Sequence, residues 1–409
     1  MMQWLVLAHR NVLRNGRRSL LLGGTIAIGT LALLLFAAYI AASLDGLRES
    51  TIRGGLGHAQ ISAVPPADGY AEQQLQHGLD AAERTRIEAL LAQMDGVRRI
   101  APRLQFSGLV SNGPRTLNFE AQGVDPLRER QAYGAFQVLA QGEPLRASEE
   151  GRYQVLVGKE MARRLGVRPG QSLTLMTTTV QGSVNAMDVD VAGIVATGVP
   201  ERDLYTLQVP IETAQELLRT KKISHLSVLY QDTASADAQS AAIAPAIGGQ
   251  VRLQRWQELA PLYPQVMALF RNQFIVFGAI IGLIVFLGVA AMTLATIYER
   301  GKEIGTLRAI GIPQAMVRRL FMFEGLLQGA FGALAGGMAA WLVTLAINAA
   351  GIELAPPPGR NVGVPLHLLW LYQPSLAIVA MLPLLAMAAA WLISRRIGRM
   401  PVKAILTSN

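Results

Sequence analysis

The residues that could do chemistry in this chain are few and scattered. Its 409 residues include five histidines and no cysteine, so thiol catalysis, disulfide scaffolds and cysteine-ligated metal centres are excluded. His9, His58, His77, His225 and His367 show no H-E-x-x-H run and no paired spacing. They read as surface or interface histidines rather than metal ligands. Gly158-Lys159-Glu160 lacks the upstream glycine and the hydroxyl residue of a phosphate-binding loop, so nucleotide hydrolysis by that route is not expected of this chain. Gly55-Leu56-Gly57 lacks the third glycine of a dinucleotide fingerprint and reads as a loop. Asp188 and Asp190 stand two apart in an alternating run, which places both on the solvated face of a strand. No G-x-S-x-G elbow or S-x-x-K is present. The expectation is a chain without a catalytic set of its own.

Another kind of chemistry, that of docking, is written into Glu299 to Pro313, where charges are interleaved with small and apolar residues. Glu299 and Glu303 are four apart, as are Glu303 and Leu307. A short helix ending at Gly311, with Pro313 beyond it, fits the stop rules. Such a helix presents Ile304, Leu307 and Ile310 on one face and charges on another. An apolar anchor with an orienting charged rim is what a cytoplasmic partner needs; the other reading is an amphipathic helix lying on the inner leaflet. Further on, Gly325-x-x-x-Gly329 and Gly332-x-x-x-Gly336 allow helices to approach closely. They mark either a packing seam between spans, including one at a subunit interface, or the general Ala/Gly richness of the chain.

The elements that must position these groups are set by hydrophobicity. The sequence is 51% hydrophobic and 16% charged, with net charge +9; soluble domains carry about 25% charged residues. Ser19–Leu44, Asn272–Tyr298 and Gly325–Ile352 contain no charged residue, and a fourth apolar stretch runs from Pro374 to Ser394. Each meets the roughly 20 helical residues that a bilayer core requires. The first is too long for a signal core of about 7–15 residues and reads as a retained span. The leader through Arg18 contributes +4, the 299–319 connector +3 and the tail from Arg395 +4, against +9 for the whole chain. The basic excess is therefore juxtamembrane, which removes support for nucleic-acid binding. It places both termini and the connector in the cytoplasm. The predicted order is a leader at 1–18, amphipathic on the inner leaflet, and a first span at 19–44. An outer domain follows at 45–271, then a second span at 272–298 and a cytoplasmic connector at 299–319. A third span at 320–352, an outer loop at 353–373, a fourth span at 374–394 and a cytoplasmic tail at 395–409 complete it.

The outer domain reads as mixed α+β. Strands are expected at 59–64, 106–110, 116–122, 153–158, 172–178, 187–195 and 224–230, and helices at 80–94, 159–165, 211–219 and 233–247. Residues near 140–200 are interposed between flanking portions that come together, giving two subdomains. The fold class is thus a membrane protein: four transmembrane α-helices with a large α+β extracytoplasmic domain between helices 1 and 2. Within the spans only Glu324, near the cytoplasmic end of the third, is ionisable, which argues against a proton-driven carrier or conductive pore.

The run Glu299-Arg300-x-Lys302-Glu303-Ile304-Gly305-x-Leu307-Arg308-Ala309-Ile310-Gly311, with Phe321-x-x-Glu324-Gly325 after it, resembles the FtsX-type permease module of the LolC/LolE and MacB group. Asn11–Leu22, Gln122–Pro126 and Val155–Leu175 are similar to that group, as is the order of one span, a large outer domain and three spans. The resemblance implies a type VII ABC permease with porter-like and sabre-like outer parts, acting by mechanotransmission. It implies that Glu299, Arg300, Lys302, Glu303, Ile304, Gly305, Leu307, Arg308, Ala309 and Gly311 form a coupling helix beneath which a cytoplasmic ATPase dimer docks. ATP and Mg would then be bound by that separate ATPase, with no cofactor in this chain. A second permease copy, identical or related, membrane lipids and a periplasmic carrier or adaptor are the other implied partners. The implied role is moving or extracting a lipidated or hydrophobic cargo on the periplasmic side of the inner membrane. The alternative is an FtsX-like regulator of a periplasmic partner such as a cell-wall hydrolase, without transport. Thr177–Met187 is short and lacks the Pro-rich hook of the lipoprotein-releasing kind.

Overall fold

The structure, a computed structural model, describes residues 16–64, 77–133, 138–148, 151–249, 251–354 and 364–395. The leader reading therefore lies outside the described residues up to position 15, and the tail reading beyond Arg395. The chain divides into two units: 1–45 with 265–353 and 365–409, and 46–264 with 354–364.

In chain order the elements begin with α1 (Gly16–Thr51), a π-turn (Ile52–Leu56), β1 (Ala59–Ala63), α2 (Ala81–Ala92), β2 (Val97–Ser111), β3 (Thr116–Val124), α3 (Pro126–Tyr133) and β4 (Val138–Gly142). Then come β5 (Gln154–Gly158), α4 (Lys159–Leu165), β6 (Ser172–Thr178), β7 (Val184–Ala196), α5 (Pro200–Asp203), β8 (Thr206–Pro210) and α6 (Ile211–Leu218). The remainder is β9 (His225–Tyr230), α7 (Ala236–Ile247), β10 (Val251–Arg255), α8 (Trp256–Leu259), α9 (Leu262–Glu299), α10 (Gly301–Ala309), α11 (Gln314–Ala350) and α12 (Tyr372–Ser394), with a two-strand ribbon, Glu353–Leu354 and Val364–Pro365, between the last two.

Four helices are long and apolar enough to cross a membrane: Ser19–Leu56, Leu262–Glu299, Gln314–Ala350 and Tyr372–Ser394. Their apolar runs are those read from the sequence, but the helices overrun them. α1 continues past Asp45 through Gly46, since no proline intervenes and the backbone leaves helical geometry only at Gly55. α9 starts ahead of Arg271 with Pro264 in its first turn, where a missing N–H costs nothing. Inside this unit Leu22, Ile26, Leu33, Leu34, Val285, Val289, Ala333 and Leu382 share one buried cluster. Thr25 and Thr30 donate to the carbonyls of Leu21 (3.0 Å) and Ile26 (2.8 Å), satisfying their hydroxyls within the helix as lipid surroundings demand. Asn348, near the end of α11, accepts from Leu368 N–H (2.8 Å) and donates to its carbonyl (3.0 Å), fixing the approach to α12.

The other unit is built on one ten-stranded sheet in the order β10-β1-β9-β2-β3-β8-β5-β7-β4, with β6 paired to β2 and β7. β1 lies antiparallel between β10 and β9, so chain on both sides of the inserted segment does come together. The insertion, however, extends this same sheet through β5–β8 and β2–β6, both antiparallel, rather than closing as a separate layer. α2 opens on a capping box, Glu83 N–H donating to Asp80 (2.8 Å) and Asp80 N–H to Glu83 (3.4 Å). Val189 and Val191 are buried while Asp188 and Asp190 are exposed, as alternation requires. β2 begins at Val97, well before the expected Phe106, because Arg98, Arg99 and Arg103 obscure its alternation. β4, β8 and β10 are strands that the sequence pattern did not single out.

Candidate functional site

The connector between the second and third membrane helices is the best-formed candidate. α9 ends at Glu299, the backbone breaks regular geometry at Arg300 (φ −94°, ψ 15°), and α10 follows at once. Gly311 adopts φ +93°, a left-handed turn that favours glycine. Pro313 is extended and starts α11. The elbow is held from within: Ile304 is buried with Ile297, Val317 and Phe321, and Ile312 and Ile393 pack against that cluster.

This alters the docking face read from the sequence. Ile304, Leu307 and Ile310 do not form one outward apolar stripe. Ile304 and Gly305 are buried, Leu307 is half-buried, and Ile310 is 72% exposed. Steps of three residues turn a helix by 300°, so three such positions drift over about 120°, and Ile310 already lies past the helix end. Lys302, Glu303, Thr306, Ala309 and Ile310 are the exposed positions, with Arg308 half-buried and Glu299 and Gly311 exposed. The outward surface is therefore mostly polar, with one bare isoleucine at its end.

Arg300 ties the elbow to the third membrane helix. Its Nε donates to Glu303 at 2.9 Å and its Nη1 to Glu324 at 3.4 Å. Glu324 is only 9% exposed, and a carboxylate so buried needs a cation partner. The sequence marked both residues; their pairing across 24 positions was not visible in it. One turn further on, Gln328 donates to Ser19 of α1 (3.3 Å).

The four glycines of α11 sit against two different helices. A Cβ at Gly325 would lie 2.8 Å from Ala390 Cβ, and one at Gly329 2.7 Å from Pro383 Cα, both in α12. A Cβ at Gly332 would lie 2.7 Å from the Gly23 carbonyl, and one at Gly336 2.7 Å from Thr30 Cβ, both in α1. The seam at these positions joins α11 to α12 and α1 of the same chain.

In the sheet unit, two of the histidines read as surface groups are buried. His58 is 5% and His225 4% exposed. Burial pushes the His225 pKa down to about 3, with the neighbouring Arg103 adding to the effect. Burial likewise lowers His58 to about 4. His58 Nδ1 accepts the Tyr230 N–H at 3.1 Å, so its proton sits on Nε2, facing Thr233 Oγ1 at 2.9 Å. The His58 ring is thus a structural hydrogen-bonding group, whereas the buried His225 Nε2 has no hydrogen-bond partner among the described residues. Among the described residues no cluster of three or more His, Asp or Glu is placed to hold a metal ion.

Comparison with known proteins places this geometry. The family model described as MacB-like periplasmic core domain matches residues 19–246, and the one described as FtsX-like permease C-terminal matches 275–402. The lipoprotein-releasing system transmembrane protein LolC of Neisseria meningitidis serogroup B is 27% identical over 339 residues, covering 79% of this chain and 77% of that protein. LolE of Haemophilus influenzae is 24% identical over 289 residues, covering 68% and 66%. The periplasmic region of MacB from Actinobacillus actinomycetemcomitans aligns with a TM-score of 0.35 at 14% identity, over 52% of this chain and 94% of that one.

Proposed function

The chain belongs to the family with a MacB-like periplasmic core domain and an FtsX-like permease C-terminal region, and on that premise we propose that it is the membrane subunit of an ATP-driven ABC transporter of the type VII kind. A separate cytoplasmic ATPase, carrying ATP and Mg, docks at the 299–312 elbow. Its closure is passed through the membrane helices to the periplasmic unit, in a complex completed by a second permease. The cargo is a lipidated or hydrophobic molecule handled on the periplasmic side of the inner membrane, a reading supported by the lipoprotein-releasing role in the relatives' names. A periplasmic carrier or adaptor receives it.

The observation that carries this reading is the elbow: a short helix pinned by Ile304 to the chain's own apolar cluster, with charges outward and Arg300 linking it to a buried glutamate of the next helix. Force on such an element is passed on rather than absorbed, because packed apolar contacts yield little. The first three apolar runs contain no charge, which favours a force-transmitting role over ion conduction. The basic residues flanking the spans favour cytoplasmic termini and a cytoplasmic elbow.

The test is co-purification with an ABC ATPase from the same operon. Glu303→Ala and Arg308→Ala are expected to lower ATPase retention and ATP turnover at least several-fold while the sheet unit stays folded. Assembly and turnover equal to wild type in both variants would overturn the docking role. Mass spectrometry of molecules released by ATP from the purified complex identifies the cargo. Activation of a periplasmic hydrolase with no released molecule would favour the regulatory alternative.

A further inference from the structure

The Gly54-Gly55-Leu56-Gly57 run, dismissed by motif as a loop, is where the first membrane helix ends, and every contact described next lies within the sheet unit. α1 widens into a π-turn closed by the Gly57 N–H donating to the Ile52 carbonyl at 2.9 Å. Single π-turns recur at functional positions. The carbonyls that the turn releases are caught by side chains from remote segments. Arg202 donates to the Gly54 carbonyl at 2.9 Å. Ser227 donates to the Leu56 carbonyl at 2.9 Å and, its own proton so used, accepts from Tyr133 at 2.6 Å.

Beneath the turn lies a buried charge. Arg103 is 1% exposed and donates to both carboxylate oxygens of Glu129 at 2.7 and 2.8 Å and to Gln122 at 2.5 Å. Its guanidinium lies 4.6 Å from the centre of the Tyr133 ring. Gly55, at φ +126°, rests directly on it: a Cβ there would lie 2.9 Å from Arg103 Nη1. On the other side of the turn, Thr233 donates to Glu49 of α1 at 3.1 Å and meets His58 at 2.9 Å. Ile52, fully buried, is wedged among Ala101, Tyr133, Leu229 and Trp256. A buried ion pair is weak evidence of stability, and its best-attested use is to fix one arrangement over others. Here the arrangement fixed is that of a helix end on a sheet.

We infer that this seam is a clasp that holds the last turn of α1 and the π-turn, residues 49–57, on the sheet, with Arg202, Ser227 and Arg103 as positioning residues for the mechanical work of the complex. That work rests on the function proposed above; the clasp itself does not. Three strands are gripped at once, since Arg103 belongs to β2, Gln122 to β3 and Ser227 to β9, so a movement of the helix end reaches the centre of the sheet.

The test uses the full chain in lipid nanodiscs. Arg103 is avoided because its loss strands Glu129 in the interior; Arg202→Ala and Ser227→Ala, combined, remove two grips from the turn. Hydrogen exchange of residues 49–58 is expected to accelerate at least tenfold in the double variant, with β2, β3 and β9 unchanged. Unaltered exchange overturns the clasp. A second arm adds the ATPase. The chain has no cysteine, so a spin label at Val184→Cys, 78% exposed in the native chain, is unique to each copy. Trapping with ATP and vanadate is expected to shift the label-to-label distance in the otherwise native complex. The double variant is expected to keep ATPase binding and turnover but lose at least half of that shift. An undiminished shift overturns the positioning role. Absence of ATPase binding in the otherwise native complex sinks the proposed function instead, and the exchange result still decides the clasp.

Discussion

His225 and His58 show what single residues contribute. Both are buried and neutral in the folded chain, with pKa values pushed to about 3 and about 4, below the ordinary value near 6.5. Between the folded and ordinary values the unfolded chain binds protons that the folded chain refuses. Stability is therefore complete above pH 6.5 and falls as pH drops toward 3, by up to about 1.4 kcal/mol per pH unit for each ring. Denaturant midpoints of the full chain at pH 7.5, 6 and 5 should fall accordingly, and His225→Gln should flatten the slope. A slope unchanged by that substitution would contradict the assignment. At the elbow, Arg300 and Glu303 should separate by stability. Glu303 sits in a solvated pair, and its loss should stay within about 0.5 kcal/mol. Arg300→Ala leaves Glu324 without that partner and should cost about 1–3 kcal/mol, read as a lower thermal midpoint than for Glu303→Ala.

Among the elements, α11 is organised by its glycines. Spaced four, three and four residues apart, they meet α12 first and then α1. At Gly336 an added methyl would meet Thr30 Cβ at 2.7 Å and the Ala27 carbonyl closer still, whereas at Gly337 it would meet the ends of two side chains, Val379 at 3.3 Å and Leu34 at 3.9 Å. Gly336→Ala should therefore cost about 1–3 kcal/mol through overpacking, and Gly337→Ala about 0.5 kcal/mol or less. Thermal unfolding of the two variants in nanodiscs checks the contrast; equal midpoints would mean that the helix seam yields. The connector helix α10 makes a related point. Its polar–apolar pattern was legible, but which isoleucine turned inward depended on Val317 and Phe321, residues of the following helix.

For the whole molecule, sidedness is the property on which the proposed function stands. Lys302→Cys and Val184→Cys, each the sole cysteine of its variant, should react with a membrane-impermeant maleimide from opposite sides of sealed vesicles. Labelling of both from one side would refute a cytoplasmic elbow beneath a periplasmic sheet. The α+β unit was readable in outline because alternation and stop signals are local: α4, β6 and the Gly166 stop fell where Lys159–Gly166 and Ser172–Thr178 placed them. β8 was missed because Gln208, polar yet buried, interrupts its short apolar run.

The sequence by itself determined the four apolar helices, the placement of the charge at their ends and the presence of a short connector helix between the second and third, because bilayer length and helix periodicity act on neighbouring residues. Only the tertiary structure decided that the insertion extends one sheet, that Arg300 reaches Glu324, and that Gly55 lies on Arg103. Those pairings join residues tens of positions apart, and nothing in local pattern encodes which buried charge finds which partner until the chain has closed around both.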